Sequence, residues 1–354
     1  MTDTLDIKIN RTNASRLQET DFNDIGFGKI FSDHMFVADY ADGQWKNFEI
    51  IPYGNLSLSP AISVLHYGQA FFEGLKAYKH ADGKVALFRP YKNAERFNRS
   101  AERLSMPALP EDIFVQSIAS LVDTDRVWIP TELGTSLYIR PFMFATDPYL
   151  GVRPSLTYKY IVLTGPAGAY YSANLKVKIE TNYSRASEGG FGFAKAAGNY
   201  AGSLLPASEA VKEGFDQLIW TDSKEHAYIE ELGTANIMFM LDGKLVTPST
   251  RDTILKGVTR DTITILARSW DIEVEERRVS VAEIIEGLKT GKVTEAFGVG
   301  TAATITKIAS ISYEGTQYNL PDPDNAEFSN KALAALNDIR YGLKPDPFGW
   351  NYAV

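Results

Sequence analysis

The sequence predicts a two-domain protein that combines helices with mainly antiparallel sheet. Its 354 residues favour two domains over one. Asp-Gly pairs at positions 42–43, 82–83 and 242–243 each separate two short apolar runs, which is the sequence pattern of a β-hairpin. Pro90 opens a run with helical spacing, so helices accompany the hairpins. We therefore expect the α/β (α+β) class.

The domain boundary is expected at the end of the first half. Gly165, Pro166 and Gly168 lie close together there, and such residues commonly mark connections. We predict a smaller N-terminal α/β domain, a linker, and a larger C-terminal domain with mainly antiparallel sheet. These cover residues 1–170, 171–183 and 184–354.

Alternating and helical apolar patterns predict the individual elements in order. In the first half, two hairpins precede two helices and two long strands, which we place at residues 30–40, 45–52, 74–78, 85–88, 90–104, 112–123, 136–142 and 158–164. The second half contains five strands, a helix that follows Gly257-Val258-Thr259 and a C-terminal helix. We place four strands at 176–180, 217–222, 237–241 and 244–246, a fifth leading into Glu295, and the last helix at 327–341.

Composition excludes several classes of protein. Apolar residues make up 44% of the chain and charged residues 23%, the balance of a globular protein. The net charge of −8 argues against a nucleic-acid binder, and the lack of cysteine removes disulfides and thiolate sites. The four histidines show no metal-ligand spacing, so we expect no metal. Because the N-terminus is polar and no long apolar run exists, we expect a cytoplasmic protein without a membrane segment.

One lysine lies in a stretch that fits neither a helix nor a strand pattern. Residues 188–203 are rich in glycine, alanine and aromatic side chains, and the acid nearest to Lys195 in sequence is Glu188. Loss of hydration in such surroundings favours a neutral amine, which is the form that makes a Schiff base with an aldehyde. From composition alone, an ordinary solvated lysine remains the alternative.

Two arginines are candidates for binding an anion. Arg140 shares one face of its strand with Tyr138 and Phe142, so it can bind a carboxylate bidentately or simply stack on tyrosine at a sheet edge. Arg96 flanks the apolar stripe of the helix that begins at Pro90, and it can point into a crevice or into solvent.

A helix N-terminus offers a candidate anion site. Gly257, Val258 and Thr259 precede a helical pattern, and free N–H groups at such a position bind anions. A plain helix capped by Thr259 is the alternative.

Glu231 lies in an otherwise apolar segment, and small residues around Thr301 allow a ligand to approach the backbone. A Schiff-base lysine, an anion site and a lone acid are the parts of a pyridoxal phosphate site.

Ordered motifs along nearly the whole chain resemble one family, the branched-chain amino acid aminotransferases of fold type IV, within the class IV aminotransferases. Each motif is weak alone, but all of them in family order are specific. They are Tyr67 through Phe72-Glu73-Gly74-Leu75-Lys76-Ala77, Phe88-Arg89-Pro90, Ser136-Leu137-Tyr138-Ile139-Arg140-Pro141, Gly168-Ala169-Tyr170, Lys195 through Gly198-Asn199-Tyr200, Glu231-Leu232-Gly233-Thr234-Ala235-Asn236, Leu255-Lys256-Gly257-Val258-Thr259-Arg260 and Gly300-Thr301-Ala302.

The resemblance implies a fold, a reaction and a set of partners. The fold is type IV, with the cofactor site at the domain interface. The reaction is pyridoxal 5'-phosphate-dependent transamination between leucine, isoleucine or valine and 2-oxoglutarate, which gives branched-chain 2-oxo acids and glutamate. The partners are small-molecule substrates and a second copy of the chain in a homodimer.

The resemblance also implies roles for individual residues. Lys195 would bond to the cofactor and move the substrate proton, and Glu231 would pair with the pyridine nitrogen. Further cofactor contacts would come from Arg96, Tyr200, Thr234, Leu255, Val258, Thr259 and Thr301. The substrate would be bound by Phe27, Tyr67, Phe72, Tyr138, Arg140, Tyr170, Thr234, Thr301 and Ala302, with Leu150 and Val152 entering the site of the dimer partner.

Two other kinds of function remain open at this point. A D-amino acid transaminase or an aminodeoxychorismate lyase would share the fold type, although the Ser-Leu-Tyr-Ile-Arg-Pro strand and the near-full-length match speak against both. A cofactor-free binding or scaffold protein would have to lack the lysine or the anion site, and neither is missing. The sequence ranks neither the three branched-chain substrates nor synthesis against degradation.

Overall fold

A computed structural model describes residues 4–168 and 174–354 of the chain, which divides into two compact units. The described part of the first unit comprises residues 4–168, Lys195–Ala197 and Asn337–Val354. The described part of the second unit comprises residues 174–194 and Gly198–Leu336. Each unit has its own sheet and its own apolar core.

Strands outnumber helices in the described part of the chain. The strands, named β1 to β19 in chain order, span Lys8–Ile9, His34–Ala41, Gln44–Pro52, Ala70–Phe72, Leu75–Lys79, Val85–Phe88, Ser136–Ala145, Tyr158–Ala167, Leu175–Ile179, Gln217–Thr221, Tyr228–Leu232, Ala235–Leu241, Lys244–Pro248, Val274–Arg277, Val279–Ser280, Val293–Gly300, Thr304–Tyr313, Thr316–Asn319 and Asn351–Ala353. The helices, named α1 to α8, span Ser63–Tyr67, Pro90–Arg103, Glu111–Thr124, Ala197–Ala201, Leu204–Lys212, Val258–Ser269, Val281–Thr290 and Glu327–Arg340.

The first unit is built on a sheet of nine described strands. Their order is β1-β3-β2-β8-β7-β5-β6-β19, and β4 pairs with β7. Helix α2 packs on this sheet through Phe97, whose ring centroid lies 4.5 Å from that of Phe71 on β4 and 5.5 Å from that of Tyr160 on β8. All three rings are buried. This packing brings α2, which carries Arg96, next to β4, which carries Phe72.

Helix α2 begins and faces the core as its sequence predicts. Pro90 occupies the first turn of the helix. Backbone N–H groups in that turn have no acceptor within the helix, so the N–H that proline lacks costs no hydrogen bond. Ala94, Phe97 and Ala101 form the buried stripe. Arg96 is only 4% exposed, so this flanking arginine points into the protein and not into solvent.

The second unit is built on a sheet of ten described strands. Their order is β14-β13-β12-β16-β17-β9-β10-β11-β15, and β18 pairs with β17. Strand β11 also pairs with β12, so the path of strands closes on itself. In that pairing Glu231 lies directly opposite Asn236.

The three Asp-Gly hairpins are present as β2–β3, β5–β6 and β12–β13. At two of the turns both central residues have left-handed backbone, with φ of 57° and 80° at Asp42 and Gly43, and 50° and 76° at Asp242 and Gly243. A two-residue hairpin turn requires this conformation, which Asp and Gly tolerate. The mixture of helices with two largely antiparallel sheets confirms the α/β (α+β) class.

The end of the chain reverses the expected domain sizes. Strand β19 pairs with β6, so Asn337–Val354 belongs to the first unit, which is therefore the larger of the two. The expected linker at 171–183 is also wrong in part. It contains β9, which pairs with β10 and β17 inside the second sheet, whereas residues 171–173 lie outside the described part. Local composition carries no information about pairing between strands that are distant in sequence.

None of the helices in residues 4–168 and 174–354 is both long enough and apolar enough to cross a membrane.

A matched pair of leucines tests the core of the first unit. Leu121 on α3 is fully buried, whereas Leu133 is 67% exposed. We expect Leu121→Ala to lower the free energy of unfolding by about 2–5 kcal/mol, because it leaves a cavity, and Leu133→Ala to lower it by less than about 0.5 kcal/mol. Chemical denaturation of both variants measures the difference. Equal losses would contradict this assignment of the core.

Candidate active site

Lys195 lies alongside β4 in the first unit. Its backbone N–H donates to Ser100 Oγ on α2 at 3.0 Å, and its carbonyl accepts from Phe72 N at 3.2 Å. Its Nζ is 4.8 Å from the centroid of the Phe72 ring, a position that favours a cation over an aromatic face. The backbone is therefore held on both sides while the side chain extends over Phe72.

The stretch around Lys195 is more regular than its composition suggests. Ala196 forms an isolated bridge with Phe71, and helix α4 begins at Ala197. The expectation of an irregular segment is therefore wrong for these residues. A five-residue helix is too short to show a periodic apolar pattern.

Glu73 and Arg96 form an almost completely buried ion pair, with exposures of 0% and 4%. Arg96 Nε donates to Glu73 Oε1 at 2.6 Å, and Nη2 donates to Oε2 at 2.8 Å. Asn93 Nδ2 and Gly74 N also donate to Oε2, at 2.8 and 3.1 Å. Burial alone would raise the pKa of Glu73. The positive charge of Arg96 and, to a smaller extent, that of Lys195 hold this pKa below its ordinary value of 4.5. The two-point pairing fixes the direction of the Arg96 guanidinium.

Arg140 is stacked on aromatic rings and keeps one donor unused. Its guanidinium carbon lies 4.5 Å from the centroid of the Phe72 ring and 5.4 Å from that of Tyr138, and Nη2 donates to Tyr138 Oη at 2.9 Å. Its Nε is buried and has no hydrogen-bond partner within the described residues. Strand β7 lies between β8 and β5, so the alternative of a sheet-edge arginine is wrong. Stacking and anion binding are compatible, because a stacked guanidinium leaves its edge available.

Aromatic side chains surround this arginine. Phe27 meets Tyr138 edge to face, with ring centroids 4.8 Å apart. A Cβ on Gly74 would overlap Tyr138 Oη, so only glycine allows Tyr138 this position. The structure thus brings together five of the predicted residues of the first unit, namely Phe27, Phe72, Tyr138, Arg140 and Lys195.

Three other predicted residues of the first unit, Tyr67, Leu150 and Val152, are exposed. Tyr67 Oη donates to the carbonyl of Leu150. Leu150 is 60% exposed and Val152 is 86% exposed. Tyr170 lies outside the described residues.

In the second unit, one oxygen of Glu231 accepts two hydrogen bonds and the other forms an ion pair with Arg185. Oε1 accepts from Leu255 N at 2.8 Å and from Asn236 Nδ2 at 3.3 Å. Oε2 lies 3.1 Å from Arg185 Nε. Arg185 Nη2 in turn donates to the carbonyls of Gly192 and Thr253. Glu231 is 3% exposed, so this carboxylate has a fixed orientation.

Helix α6 begins in a way that leaves its first turn without a side-chain cap. Gly257 is the capping residue, with extended backbone at φ −67° and ψ 131°, and it makes no side-chain cap hydrogen bond. Thr259 lies inside that turn, so the alternative in which Thr259 caps the helix is wrong. A Cβ on Gly257 would overlap Asn236 Oδ1, so glycine is needed for this tight approach. An uncapped helix N-terminus suits an anion such as phosphate.

The remaining predicted contacts of the second unit lie on turns and on α4. Thr234 follows Gly233 in the turn between β11 and β12, and Thr301 and Ala302 form the turn between β16 and β17. Tyr200 lies on α4. Across the described ranges, no group of three or more His, Asp or Glu side chains is arranged to hold a metal ion.

Comparison with known proteins assigns the family. A model of the class IV amino-transferases matches residues 70–311, more than half of the chain. The chain belongs to the class IV aminotransferase family. It is 44% identical to branched-chain-amino-acid transaminase 1 of Bacillus subtilis over 342 residues, which is 95% of this chain and 96% of that protein.

Solved structures agree with this assignment of a class IV aminotransferase. The Escherichia coli branched-chain amino acid aminotransferase matches with a TM-score of 0.74 at 27% identity, covering 90% of this chain and 98% of that one. The branched-chain amino acid aminotransferase of Thermobaculum terrenum, solved in its PLP form, matches with a TM-score of 0.72 at 25% identity, covering 91% and 98%. These likenesses confirm the expected fold type IV.

Sequence reasoning missed three residues that hold predicted site residues within their own units. Glu73 orients Arg96, while Asn236 and Arg185 hold Glu231. A signal existed for Asn236, because the hairpin around Gly233 places it across from Glu231. No sequence signal marks Arg185, which is far from Glu231 along the chain.

The buried ion pair predicts an acid dependence of stability. We expect Glu73→Gln to lower the free energy of unfolding at pH 7 by about 3–5 kcal/mol, because it leaves the Arg96 charge buried without a carboxylate. The pKa of Glu73 is lower in the folded chain than its ordinary value of 4.5. The carboxylate therefore stabilises the fold above pH 4.5, and this stabilisation is lost as the pH falls through the folded-state pKa. The free energies of unfolding of the wild type and of Glu73→Gln should therefore become more similar on acidification.

Denaturant titrations at several pH values measure this difference. Glu102→Gln is the matched control, since Glu102 is an exposed glutamate on the same helix as Arg96. We expect that control to change stability by less than about 0.5 kcal/mol. A constant difference between Glu73→Gln and wild type at all pH values would contradict the lowered pKa.

Proposed function

We propose that this chain catalyses pyridoxal phosphate-dependent transamination between leucine, isoleucine or valine and 2-oxoglutarate, giving branched-chain 2-oxo acids and glutamate. The observation that carries the proposal is the 44% identity with the Bacillus subtilis branched-chain-amino-acid transaminase over 95% of this chain. The surroundings of Lys195, Arg140 and Glu231 support it chemically.

The residues present fit the cofactor of this reaction. Bound pyridoxal phosphate supplies an aldehyde for a covalent bond and a conjugated ring that draws electrons away from the substrate Cα. The uncapped first turn of α6 offers N–H groups suited to the phosphate, and the fixed carboxylate of Glu231 suits the pyridine nitrogen. We assign cofactor binding to Arg96, Lys195, Tyr200, Glu231, Thr234, Leu255, Val258, Thr259 and Thr301.

Lys195 is the residue that we assign to covalent binding and to proton transfer. Its backbone is fixed by Ser100 and Phe72, so only the flexible side chain has to move between successive tasks. Once the substrate amine had displaced it, Nζ would take the proton from the substrate Cα as a base and would then deliver it to the carbon of the bound cofactor as an acid. A fixed backbone with a mobile amine suits both steps.

Glu231 is the residue that we assign to the protonated ring nitrogen. Leu255 N and Arg185 hold its two oxygens, so the carboxylate cannot rotate away from its partner. A proton held at the ring nitrogen increases the electron demand on the substrate Cα–H bond. Arg185 therefore acts through Glu231 and is a positioning residue.

One pocket must accept both an aliphatic side chain and the distal carboxylate of glutamate. The rings of Phe27, Phe72 and Tyr138 provide apolar surface, and the unused Nε of Arg140 provides a donor for a carboxylate. We assign substrate binding to Phe27, Tyr67, Phe72, Tyr138, Arg140, Tyr170, Thr234, Thr301 and Ala302.

We also propose that the enzyme works in the cytoplasm as a homodimer in which Leu150 and Val152 enter the partner's site. The exposure of these two apolar side chains supports this, since neighbouring exposed apolar residues commonly mark an interface. A monomer in sedimentation velocity at micromolar concentration would rule out the dimer.

Spectral titration and product assays separate this function from its rivals. A cofactor absorbance band that L-leucine changes, with release of 4-methyl-2-oxopentanoate, supports the proposal. A response to D-leucine in place of L-leucine would indicate a D-amino acid transaminase, and turnover of aminodeoxychorismate alone would indicate a lyase. A purified protein that binds no cofactor would indicate a scaffold.

Replacing Lys195 tests the assigned lysine. We expect Lys195→Ala to fold and to bind pyridoxal phosphate without a covalent bond, and to lose at least about 10³-fold in kcat, because the proton-transferring group is gone. Lys195→Arg should be similarly inactive, since a guanidinium stays protonated. Borohydride reduction followed by peptide mass analysis should label Lys195 in the wild type and nothing in either variant.

The result of this labelling also identifies any competing lysine. Lys256 adjoins the helix N-terminus, and burial lowers the pKa of Lys76 to about 7, so that its amine is neutral more readily. Labelling of either residue in the wild type, or substantial turnover in Lys195→Ala, would contradict the assignment of Lys195.

Arg140 should matter more for glutamate than for leucine. Only glutamate and 2-oxoglutarate bring a second carboxylate, so we expect Arg140→Gln to raise their KM by about tenfold, equivalent to about 1.4 kcal/mol. The leucine half-reaction should change by less than about twofold. Single-turnover kinetics of the two half-reactions measure both effects.

Arg99→Gln on the same unit is the matched control, because Arg99 is a partly exposed arginine that pairs with Glu95. We expect it to leave both half-reactions unchanged. Equal losses for glutamate and leucine in Arg140→Gln would instead mean that Arg140 only supports the aromatic rings on which it stacks.

A further inference from the structure

A pocket of the second unit lies on the face of strand β11 that carries Glu230, opposite to the face that carries Glu231. It is lined by residues of β11, of the loop between β10 and β11, of the segment 248–254, and by Arg278. Glu230 contributes to this pocket, whereas its neighbour Glu231 contacts Arg185 and Leu255. Successive side chains of a strand point to opposite faces, so this pocket is separate from the residues assigned to transamination.

Most charges in the pocket are already compensated. The carboxylate of Asp222 accepts from four backbone N–H groups, those of Lys224, Glu225, Ala227 and Tyr228. Lys224 pairs with Glu188. Asp252 accepts from Gly189 N at 2.6 Å. The charges that remain belong to Glu230, Arg251 and Arg278.

Glu230 has an unused acceptor. It is 7% exposed, and its Oε2 is buried without a hydrogen-bond partner in the described residues. Burial, the largest influence, raises the pKa of this carboxyl, and the Thr253 side chain and Arg185 only partly oppose the rise. A positively charged donor that entered the pocket would satisfy this oxygen and favour its charged form.

Arg251 and Arg278 line the same pocket and are exposed. Among the residues that the structure describes, neither side chain has a carboxylate partner. Arg278 instead lies over the ring of Tyr228, with its guanidinium carbon 3.5 Å from the centroid. Such stacking holds the guanidinium in place and leaves its N–H edge available to a carboxylate.

We propose that this pocket binds a free α-amino acid, with the ammonium group at Glu230 and the carboxylate at Arg251 and Arg278. A zwitterion matches one unused acceptor and two unpaired cations at once. A simple anion fits less well, because it would leave Oε2 of Glu230 unsatisfied and would bring a second negative charge next to this carboxyl. The aliphatic side chain of Ile254 and the ring of Tyr228 provide apolar surface for the rest of the ligand.

Calorimetric titration of the holoenzyme with 2-aminoisobutyrate tests this proposal. This α-amino acid lacks a Cα hydrogen, so it cannot be transaminated. Its amine can still displace Lys195 at the proposed cofactor site, so the pocket is reported by the part of the binding heat that is lost when the pocket arginines are replaced. We expect the Arg251→Ala/Arg278→Ala double variant to bind it at least about tenfold more weakly, and Glu230→Gln to weaken it as well. Isobutyrate and isopropylamine, which each lack one of the two charges, should bind at least about tenfold more weakly to the wild type.

Arg268→Ala is the matched control, since Arg268 is an exposed arginine of the same unit that does not line the pocket. We expect it to bind 2-aminoisobutyrate as the wild type does. The double variant should keep the wild-type melting temperature and its kinetics with leucine, which shows that it is folded. Because the titration needs no turnover, a failed leucine assay would overturn the function proposed above and not this pocket.

Three results would overturn the proposal. The first is that the wild type binds no 2-aminoisobutyrate. The second is that the double variant binds it as tightly as the wild type does, which would place the probe elsewhere. The third is that isobutyrate or inorganic phosphate binds as tightly as the amino acid, which would make the pocket a plain anion site.

Discussion

The first unit depends on the ion pair between Glu73 and Arg96. Removing two charges from water is costly, and the cost is offset only when every oxygen and N–H group is well matched. Here both carboxylate oxygens are paired, and Asn93 and Gly74 supply further donors. The pair joins α2 to the segment between β4 and β5, so the strand that holds the backbone of Lys195 cannot shift relative to Arg96. The orientation of a lysine and an arginine thus rests on a carboxylate that contacts no substrate in the proposed reaction.

The second unit applies the same principle at Glu231. Its oxygens accept from Leu255 N and Asn236 and face Arg185, and Asn236 also holds the carbonyl of Leu255 at 2.9 Å. One asparagine therefore links the carboxylate assigned to the ring nitrogen with the loop that leads into α6. The close approach of Gly257 to Asn236 sets where that helix starts. The proposed contacts of the ring and of the phosphate are in this way fixed by a single network.

The residues assigned to the chemistry and the arginine assigned to substrate binding are held in place in different ways. The backbone of Lys195 and the carboxylate of Glu231 are held by hydrogen bonds to neighbouring backbone and side chains. Arg140 is held mainly by stacking on Phe72 and Tyr138. Stacking fixes the plane of a guanidinium but leaves N–H groups available, so an aromatic pocket can accept an aliphatic side chain and still offer a donor to a carboxylate.

Short local patterns in the sequence were enough to predict several secondary-structure elements and candidate residues. Asp-Gly turns predicted three hairpins, Pro90 and its apolar stripe predicted α2, and the ordered motifs identified Lys195 and Glu231 as candidates. The sequence left the cap of α6 open and misjudged the irregularity around Lys195, since both depend on contacts beyond the local pattern. Tertiary structure alone decided that β19 returns to the first sheet, that Glu73 fixes Arg96, and that Arg185 faces Glu231. These pairings join residues that are distant along the chain, and a buried charge finds its partner only when the fold has brought the two together.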